Sequence, residues 1–286
     1  MRGYDSTSYG DGFADVYDDW YGEVTDVAAT VARMVELCGS GGRVLELGVG
    51  TGRLAVPMAT AGLRVVGVDS SEAMLAKLDE RLVAAPPSDD AGDAATEGEP
   101  VAAGSSITSV CGDMVDDLPD GPFDACLVAY NTIFNLLDAG TQRRCFAEVA
   151  ARLRPGGCFV VEAIVPDDEA PAGHDVGVRS MSVDRVVLSV SDHRPDQQRT
   201  SGQFVEFTES GGVRLRPWSI RWAPPGELDD MAAAAGFHVE RRDADMTGAP
   251  FDDLADRHVT VYRLGPSEAR HETTTAGFDD DDLGAT

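Results

Sequence analysis

An α/β fold with a mostly parallel, helix-covered sheet is predicted for roughly the first 165 residues, and three observations predict it. Apolar runs too continuous for a one-sided sheet alternate with helical patterns. A glycine-rich turn, Gly48-Val49-Gly50-Thr51-Gly52, joins the first run to the helix after it. The chain, 286 residues and 43% hydrophobic, is long enough to bury a sizeable core.

Taken in order, RVLEL reads as a strand, RLAVPMATAG as a helix, RVVGVD as a strand and SEAMLAKLDERL as a helix. ITSVCG and FDACLVA are further strands, TQRRCFAEVAARL is a helix, and CFVVEAIV is a fifth strand. Arg154-Pro155-Gly156-Gly157 is expected to end the last helix and turn the chain into that strand. From about residue 174 the pattern changes to β-branched and aromatic runs with turn signals at Pro195-Asp196 and Gly211-Gly212. That predicts an antiparallel β insertion over 167–222. GELDDMAAAAG then reads as a helix stopped by Gly236, and FHVERRDAD and HVTVYRL as strands that close the core. One domain is expected over 1–265. Residues 84–105, rich in Pro, Gly, Ala and acids, read as a flexible acidic insertion, and 266–286 as a disordered acidic tail.

The formal net charge of −27 opposes binding to nucleic acid or to an anionic membrane, and no basic cluster longer than two residues offsets it. No stretch of about 18 apolar residues is present to span a bilayer, and the polar start MRGYDSTSYGDGF lacks the apolar core of a signal peptide, so a cytoplasmic protein is expected. Lys77 is the single lysine; this bias fits either a GC-rich genome or adaptation to high salt. Five scattered cysteines without a CxxC pair give no disulfide framework and no metal site.

A glycine-rich strand-to-helix turn brings backbone N–H groups against an anionic part of a ligand. One reading is a dinucleotide site, but that fingerprint is GxGxxG and Arg53 stands where its last glycine belongs. The second strand ends at Asp69, 19 residues beyond Gly50, where a carboxylate can accept from both hydroxyls of a ribose. The third leads into Gly112-Asp113-Met114, where a second acid can meet an adenine amino group, while Met74 and Met114 offer soft faces to the ring. Either acid alone is equally well a helix cap or turn residue; together, after a glycine loop, they favour a nucleoside ligand.

With ELGVGTG, GVDSSEAML, CGDM, LVAYNTIFNL and LRPGG in this order, the chain resembles the class I S-adenosylmethionine-dependent methyltransferases. The resemblance implies a Rossmann-like seven-stranded sheet, mostly parallel with its last strand antiparallel, and S-adenosylmethionine as cofactor. It assigns Glu46 to the glycine loop and methionine moiety, and Gly48, Gly50 and Gly52 to the space the cofactor occupies. Asp69 is assigned to the ribose, Ser70 and Met74 to the adenosine, Asp113 and Met114 to the adenine, and the Ala129 backbone to the amino group.

GFADVYDDWY and YNTIFNL look like parts of small-molecule N-methyltransferases that act on amino sugars or glycine derivatives. In that group N-terminal tyrosines close over the site, which nominates Tyr17 beside the cofactor and Tyr21 at the acceptor; both also read as packing residues at helical spacing. Tyr130, Asn131 and Asn135 complete the expected catalytic set. Amino-sugar enzymes of this group often carry histidine where Asn135 stands, which leaves O-acceptors and other N-acceptors open. Ala129-Tyr130-Asn131-Thr132 lacks the Pro-Pro of nucleic-acid base methyltransferases, so a small-molecule acceptor is expected, with no nucleic acid, no membrane, and a monomer or homodimer. Other candidate bases are Glu162, His174 and His193. Arg179, Arg185, Arg214 and Arg216 read as partners of the many carboxylates rather than as an anion site. Alternatives are a quinone or lipid-precursor methyltransferase, which the polar insertion disfavours, and a non-catalytic S-adenosylmethionine-binding protein.

Overall fold

The computed structural model describes residues 1–22, 24–84, 106–167 and 169–265. The expected acidic insertion, beyond Ala84, and the acidic tail lie outside the described residues. In chain order the elements are α1 (Ser8–Phe13), α2 (Tyr17–Tyr21), α3 (Val27–Cys38), β1 (Arg43–Leu47), α4 (Ala55–Thr60), β2 (Arg64–Asp69) and α5 (Glu72–Ala84). Next come β3 (Ile107–Cys111), β4 (Phe123–Val128), α6 (Ala139–Arg152), β5 (Leu153–Ile164), β6 (Gly173–Met181) and β7 (Arg185–Arg194). The last are β8 (Arg199–Thr208), β9 (Val213–Arg221), α7 (Pro225–Ala234), β10 (Phe237–Asp243) and β11 (Arg257–Leu264).

Seven strands form one sheet in the order β10-β11-β5-β4-β1-β2-β3, with β11 antiparallel to both its neighbours and the other pairs parallel. Alternation along β1 explains why its valine and both leucines are buried although they point to opposite faces. Leu45 and Leu47 enter the core on one face of the sheet and Val44 enters the core on the other, all at most 1% exposed. Each such side chain contributes about 1.5–3 kcal/mol on burial. Asp26 caps α3 by accepting from the Ala29 N–H, and Asp138 caps α6 by accepting from the Thr141 N–H.

One boundary differs from expectation. The helix ends at Arg152, and β5 begins at once with Leu153 paired to Phe123; residues 154–157 then bulge out before Cys158 resumes the register opposite Ala125. The Arg-Pro-Gly-Gly run is therefore a break inside the strand rather than a turn before it, because Leu153 already fills a core position. The insertion after β5 folds as a four-stranded antiparallel sheet, β6-β7-β8-β9.

Strand order reverses between β1 and β4, and an open α/β sheet leaves a crevice at the carboxyl ends of its strands at such a point. The N-terminal helices roof this crevice. Gly10 on α1 lies so close to Ser71, before α5, that a Cβ there would sit 2.3 Å from the serine Cβ. Ser71 Oγ donates to Asp11 (2.7 Å), Ser70 Oγ to the Ser6 carbonyl (2.8 Å), and Thr51 Oγ1 to Asp18 (2.7 Å). On the other side Arg216 of β9, 1% exposed, joins Asp15 and the Gly12 carbonyl to Glu206 of β8. The roof is thus tied to both sheets.

Candidate active site

A cavity of about 280 Å³ lies at the strand tips, and a second of about 260 Å³ lies beside it under the antiparallel sheet. Tyr9, Tyr17, Thr132 and Asn135 line both, so the two are lobes of one site with a shared waist. The larger lobe collects Gly48 and Gly50 after β1, Asp69 and Ser70 after β2, Asp113 and Met114 after β3, and Met74 from α5. The smaller collects Tyr21, Tyr130, Asn131, Arg179, Phe204 and Trp218.

The three glycines share left-handed backbone, φ between 55° and 76°, but not a reason for lacking a side chain. At Gly48 a Cβ would strike Thr132 at 2.4 Å, and at Gly52 it would strike Leu78 at 2.2 Å. Only at Gly50 would it meet open space, with Gly48's carbonyl oxygen nearest at 3.9 Å. Gly52 does not line the lobe, which corrects the expectation that all three make room for a ligand; close helix packing against Leu78 is what forbids its side chain.

Asp69 holds the loop in shape: one carboxylate oxygen accepts from the Gly50 N–H and the other from the Ser71 N–H, both at 2.9 Å. Burial raises its pKa while those two N–H groups oppose the shift. Asp113 accepts from the Val115 and Asp116 N–H groups, so it is a turn-forming residue as well as a wall of the lobe. Glu46 does not line the lobe; it is 3% exposed, and burial pushes its carboxyl up to about 8. Its Oε2 has no hydrogen-bond partner among the described residues, nor do Nε and Nη1 of Arg53. A carboxyl held neutral at pH 7 by its burial and two buried guanidinium nitrogens are thus left unsatisfied at the glycine loop; an arriving ammonium would draw the carboxyl into its charged form, and the guanidinium suits a carboxylate.

In the smaller lobe Tyr130 and Asn131 adopt left-handed backbone, φ 46° and 64°. Glu162 fixes that turn by accepting from the Tyr130 N–H (3.0 Å), and the Asn131 side-chain oxygen accepts from the Ile164 N–H (2.7 Å). Tyr21 packs against Tyr17 and Tyr130, with ring centroids 5.1 and 5.8 Å away. Burial raises the hydroxyl pKa of Tyr9, Tyr21 and Tyr130, and that of Tyr17 to about 12, so all four stay protonated at neutral pH. Neither a carboxylate nor a histidine is among the residues lining this lobe.

Some expected residues stand apart. His174 is exposed beside Asp192, and His193 contacts Thr200 and stacks on Trp222; neither lines a lobe. Ala129 is buried with its carbonyl taken by the Thr132 N–H, outside both linings. Arg185, Arg214 and Arg216 pair with carboxylates as expected, but Arg179 does not: among the described residues it has no acidic partner. Its guanidinium lies over Trp20, Phe204 and Tyr21, at 4.6, 4.7 and 5.1 Å from the ring centroids. Tyr4, Tyr9, Thr132, Phe204 and Trp218 line the site without having been singled out. For Tyr9 a signal existed, since it stands four residues before Phe13, and the two rings stack at 4.5 Å.

Residues 44–157 match the family model of the methyltransferase domain. Over nearly the whole chain the protein is similar to the CcbJ methyltransferase of Streptomyces caelestis, 37% identical, with a TM-score of 0.79 over 92% of this chain and 100% of that one. The chain belongs to the S-adenosylmethionine-dependent methyltransferases. This methyltransferase is also 27% identical over 216 residues to the cypemycin N-terminal methyltransferase of a Streptomyces species, covering 74% of this chain and 78% of that one. It shares its fold with the S-adenosylmethionine-bound amino pentose methyltransferase of Micromonospora echinaspora, 22% identical, TM-score 0.62, over 86% and 96% of the two chains. The methyltransferase uses S-adenosylmethionine as its cofactor. Among the described residues no helix is long and apolar enough to cross a membrane, and no cluster of three or more His, Cys, Asp or Glu side chains offers a metal site.

Proposed function

We propose that the methyltransferase acts on a nitrogen of a small-molecule acceptor that enters the smaller lobe as a free amine. The observation that carries this reading is the absence of a proton acceptor among the residues lining that lobe, where four tyrosines stay protonated. A neutral amine attacks through its lone pair and needs no base, whereas an alcohol must lose a proton before or during attack. A relative named for methylation at an N-terminus supports the choice of nitrogen.

When bound, S-adenosylmethionine supplies a methyl group on a positively charged sulfur. The chain's residues hold and align it. Arg53 offers its unpartnered N–H groups to the carboxylate of the amino-acid end, and Glu46 a carboxyl that an ammonium draws into its charged form, while Gly50 leaves open space at the loop. Asp69, its two oxygens already fixed by Gly50 and Ser71, retains lone pairs for ribose hydroxyls. Asp113, Met114, Ser70 and Met74 surround the base. Tyr17 and Asn135 at the waist, with Tyr21, Tyr130 and Asn131 beyond it, orient the acceptor nitrogen and exclude water. The whole of 1–265 acts as one unit, with 167–222 as the acceptor cover.

The test presents matched amines and alcohols with S-adenosylmethionine and follows adenosylhomocysteine release and a one-methyl mass gain. Amines should react and their alcohol counterparts should not. Methylation of the alcohols alone would overturn the nitrogen assignment, and cofactor binding without turnover of any acceptor would favour a sensor.

A further inference from the structure

We infer that the acceptor carries a carboxylate, or a comparable planar anion, and that Arg179 receives it. This rests on the smaller lobe being the acceptor site and goes on to name the chemical class that fits there. Three observations converge on it. Arg179 is the single charged residue among those lining the lobe. It also departs from its neighbours: Arg185, Arg214 and Arg216 of the same sheet each lie within 4 Å of a carboxylate, and Arg179 has none among the described residues. A chain with 50 acidic against 23 basic residues has no shortage of anions to supply one. Finally, the guanidinium is braced. It lies over Trp20, Phe204 and Tyr21, and its one side-chain hydrogen bond among the described residues is a long one, 3.5 Å, to the Trp20 carbonyl.

A guanidinium stacked on ring faces keeps its edge free, and its edge is where a carboxylate binds in a two-pronged fashion. The rings hold the cation in place beforehand, while Arg179 itself stays exposed, so its edge is open to an incoming anion. The same positive charge disfavours a protonated amine nearby, so it raises the share of acceptor bound as free base. A positively charged acceptor is disfavoured for the same reason. The class that fits is an amine bearing a carboxylate on a body small enough for a lobe of about 260 Å³.

The experiment titrates 3-phenylpropanoate and, separately, its uncharged amide into the enzyme loaded with adenosylhomocysteine. Trp20 and Trp218 serve as fluorescent reporters, and Arg179→Gln and Arg179→Lys are run beside the wild type. The acid should bind up to about fivefold tighter than the amide, the scale of one solvent-exposed ion pair. Arg179→Gln should erase that preference and leave adenosylhomocysteine affinity unchanged, and Arg179→Lys should restore part of it. Equal binding of acid and amide, no binding of the acid, or a preference that survives Arg179→Gln would overturn the proposal. In that event Arg179 only clamps the roof to the cover, and Arg179→Gln would lower the melting temperature alone. The nitrogen assignment is read separately, from which of the matched amines and alcohols gains a methyl group: neutral amines alone reacting would leave it standing while the anion reading falls.

Discussion

Replacing Gly50 by alanine separates a glycine required by a ligand from one required by the fold. The added Cβ meets no protein atom closer than 3.9 Å, so nothing in the chain has to move, and the methyl group projects at the wall of the larger lobe. The folding cost comes from the backbone, since φ of +55° costs an alanine about 1–2 kcal/mol. In a domain of this size each kcal/mol lowers the melting temperature by about 2–4 °C. The binding cost is that of one methyl group forced into a filled space, about 1–3 kcal/mol, or roughly five- to 150-fold in affinity for S-adenosylmethionine. Calorimetric titration measures the second quantity and thermal melts without ligand the first; the rise in melting temperature on adding cofactor should shrink in the variant. Gly52→Ala is the contrast. Its Cβ would lie 2.2 Å from Leu78, so its penalty falls on folding, with binding by the surviving folded fraction little changed. A folded Gly50→Ala enzyme with wild-type cofactor affinity would refute the argument that this residue faces the cofactor.

Three other outcomes are expected. Burial holds the Glu46 carboxyl at about 8 against an ordinary 4.5, so across that interval the folded chain keeps a proton that the unfolded chain has released. Relative to Glu46→Gln, the ligand-free wild type should therefore lose stability as pH rises from 4.5 to 8, and melts with parallel pH profiles would count against it. Asp69→Ala should weaken cofactor binding by about 1–3 kcal/mol, through loss of charge-assisted hydrogen bonds and of the brace on Gly50; calorimetry showing no change would remove Asp69 from the site. Tyr21→Phe keeps the ring that packs on Phe13, Tyr17 and Tyr130 and loses only the hydroxyl. Steady-state kinetics should show turnover falling more than cofactor affinity, and identical kinetics would return Tyr21 to packing.

The sheet and the cofactor lobe were legible because their signals are local. A parallel strand covered on both faces carries apolar residues on both, as Val44, Leu45 and Leu47 do in β1, and the tip of such a strand places the acid there; Asp69 and Asp113 needed no more than that. The glycines show where local reading stops. GVGTG marks a tight turn, but Gly52 is small because of Leu78, 26 residues onward, and no spacing rule reports that contact. The smaller lobe was harder to foresee because α1, α2, β6, β8 and β9 all contribute to it. Phe204 and Trp218 look like ordinary β-strand aromatics until the cover folds over Phe13 and Trp20. Arg179 was misjudged for the same reason. In so acidic a chain pairing is the natural expectation for any arginine, and only three-dimensional placement shows that the carboxylates go to its neighbours.

The hydrogen bonds of Ser6, Asp11 and Asp18 to Ser70, Ser71 and Thr51 hold the N-terminal segment down beside the larger lobe. Adenosylhomocysteine must leave past the segment those bonds hold down. Each is worth about 0.5–1.5 kcal/mol net, so together they form a latch strong enough to keep water out and weak enough to release on a catalytic timescale. Loosening one bond from the roof side, as in Asp11→Ala, which spares the Ser71 hydroxyl that also accepts from the Met74 N–H, would quicken product escape while making each captured substrate more prone to leave unreacted.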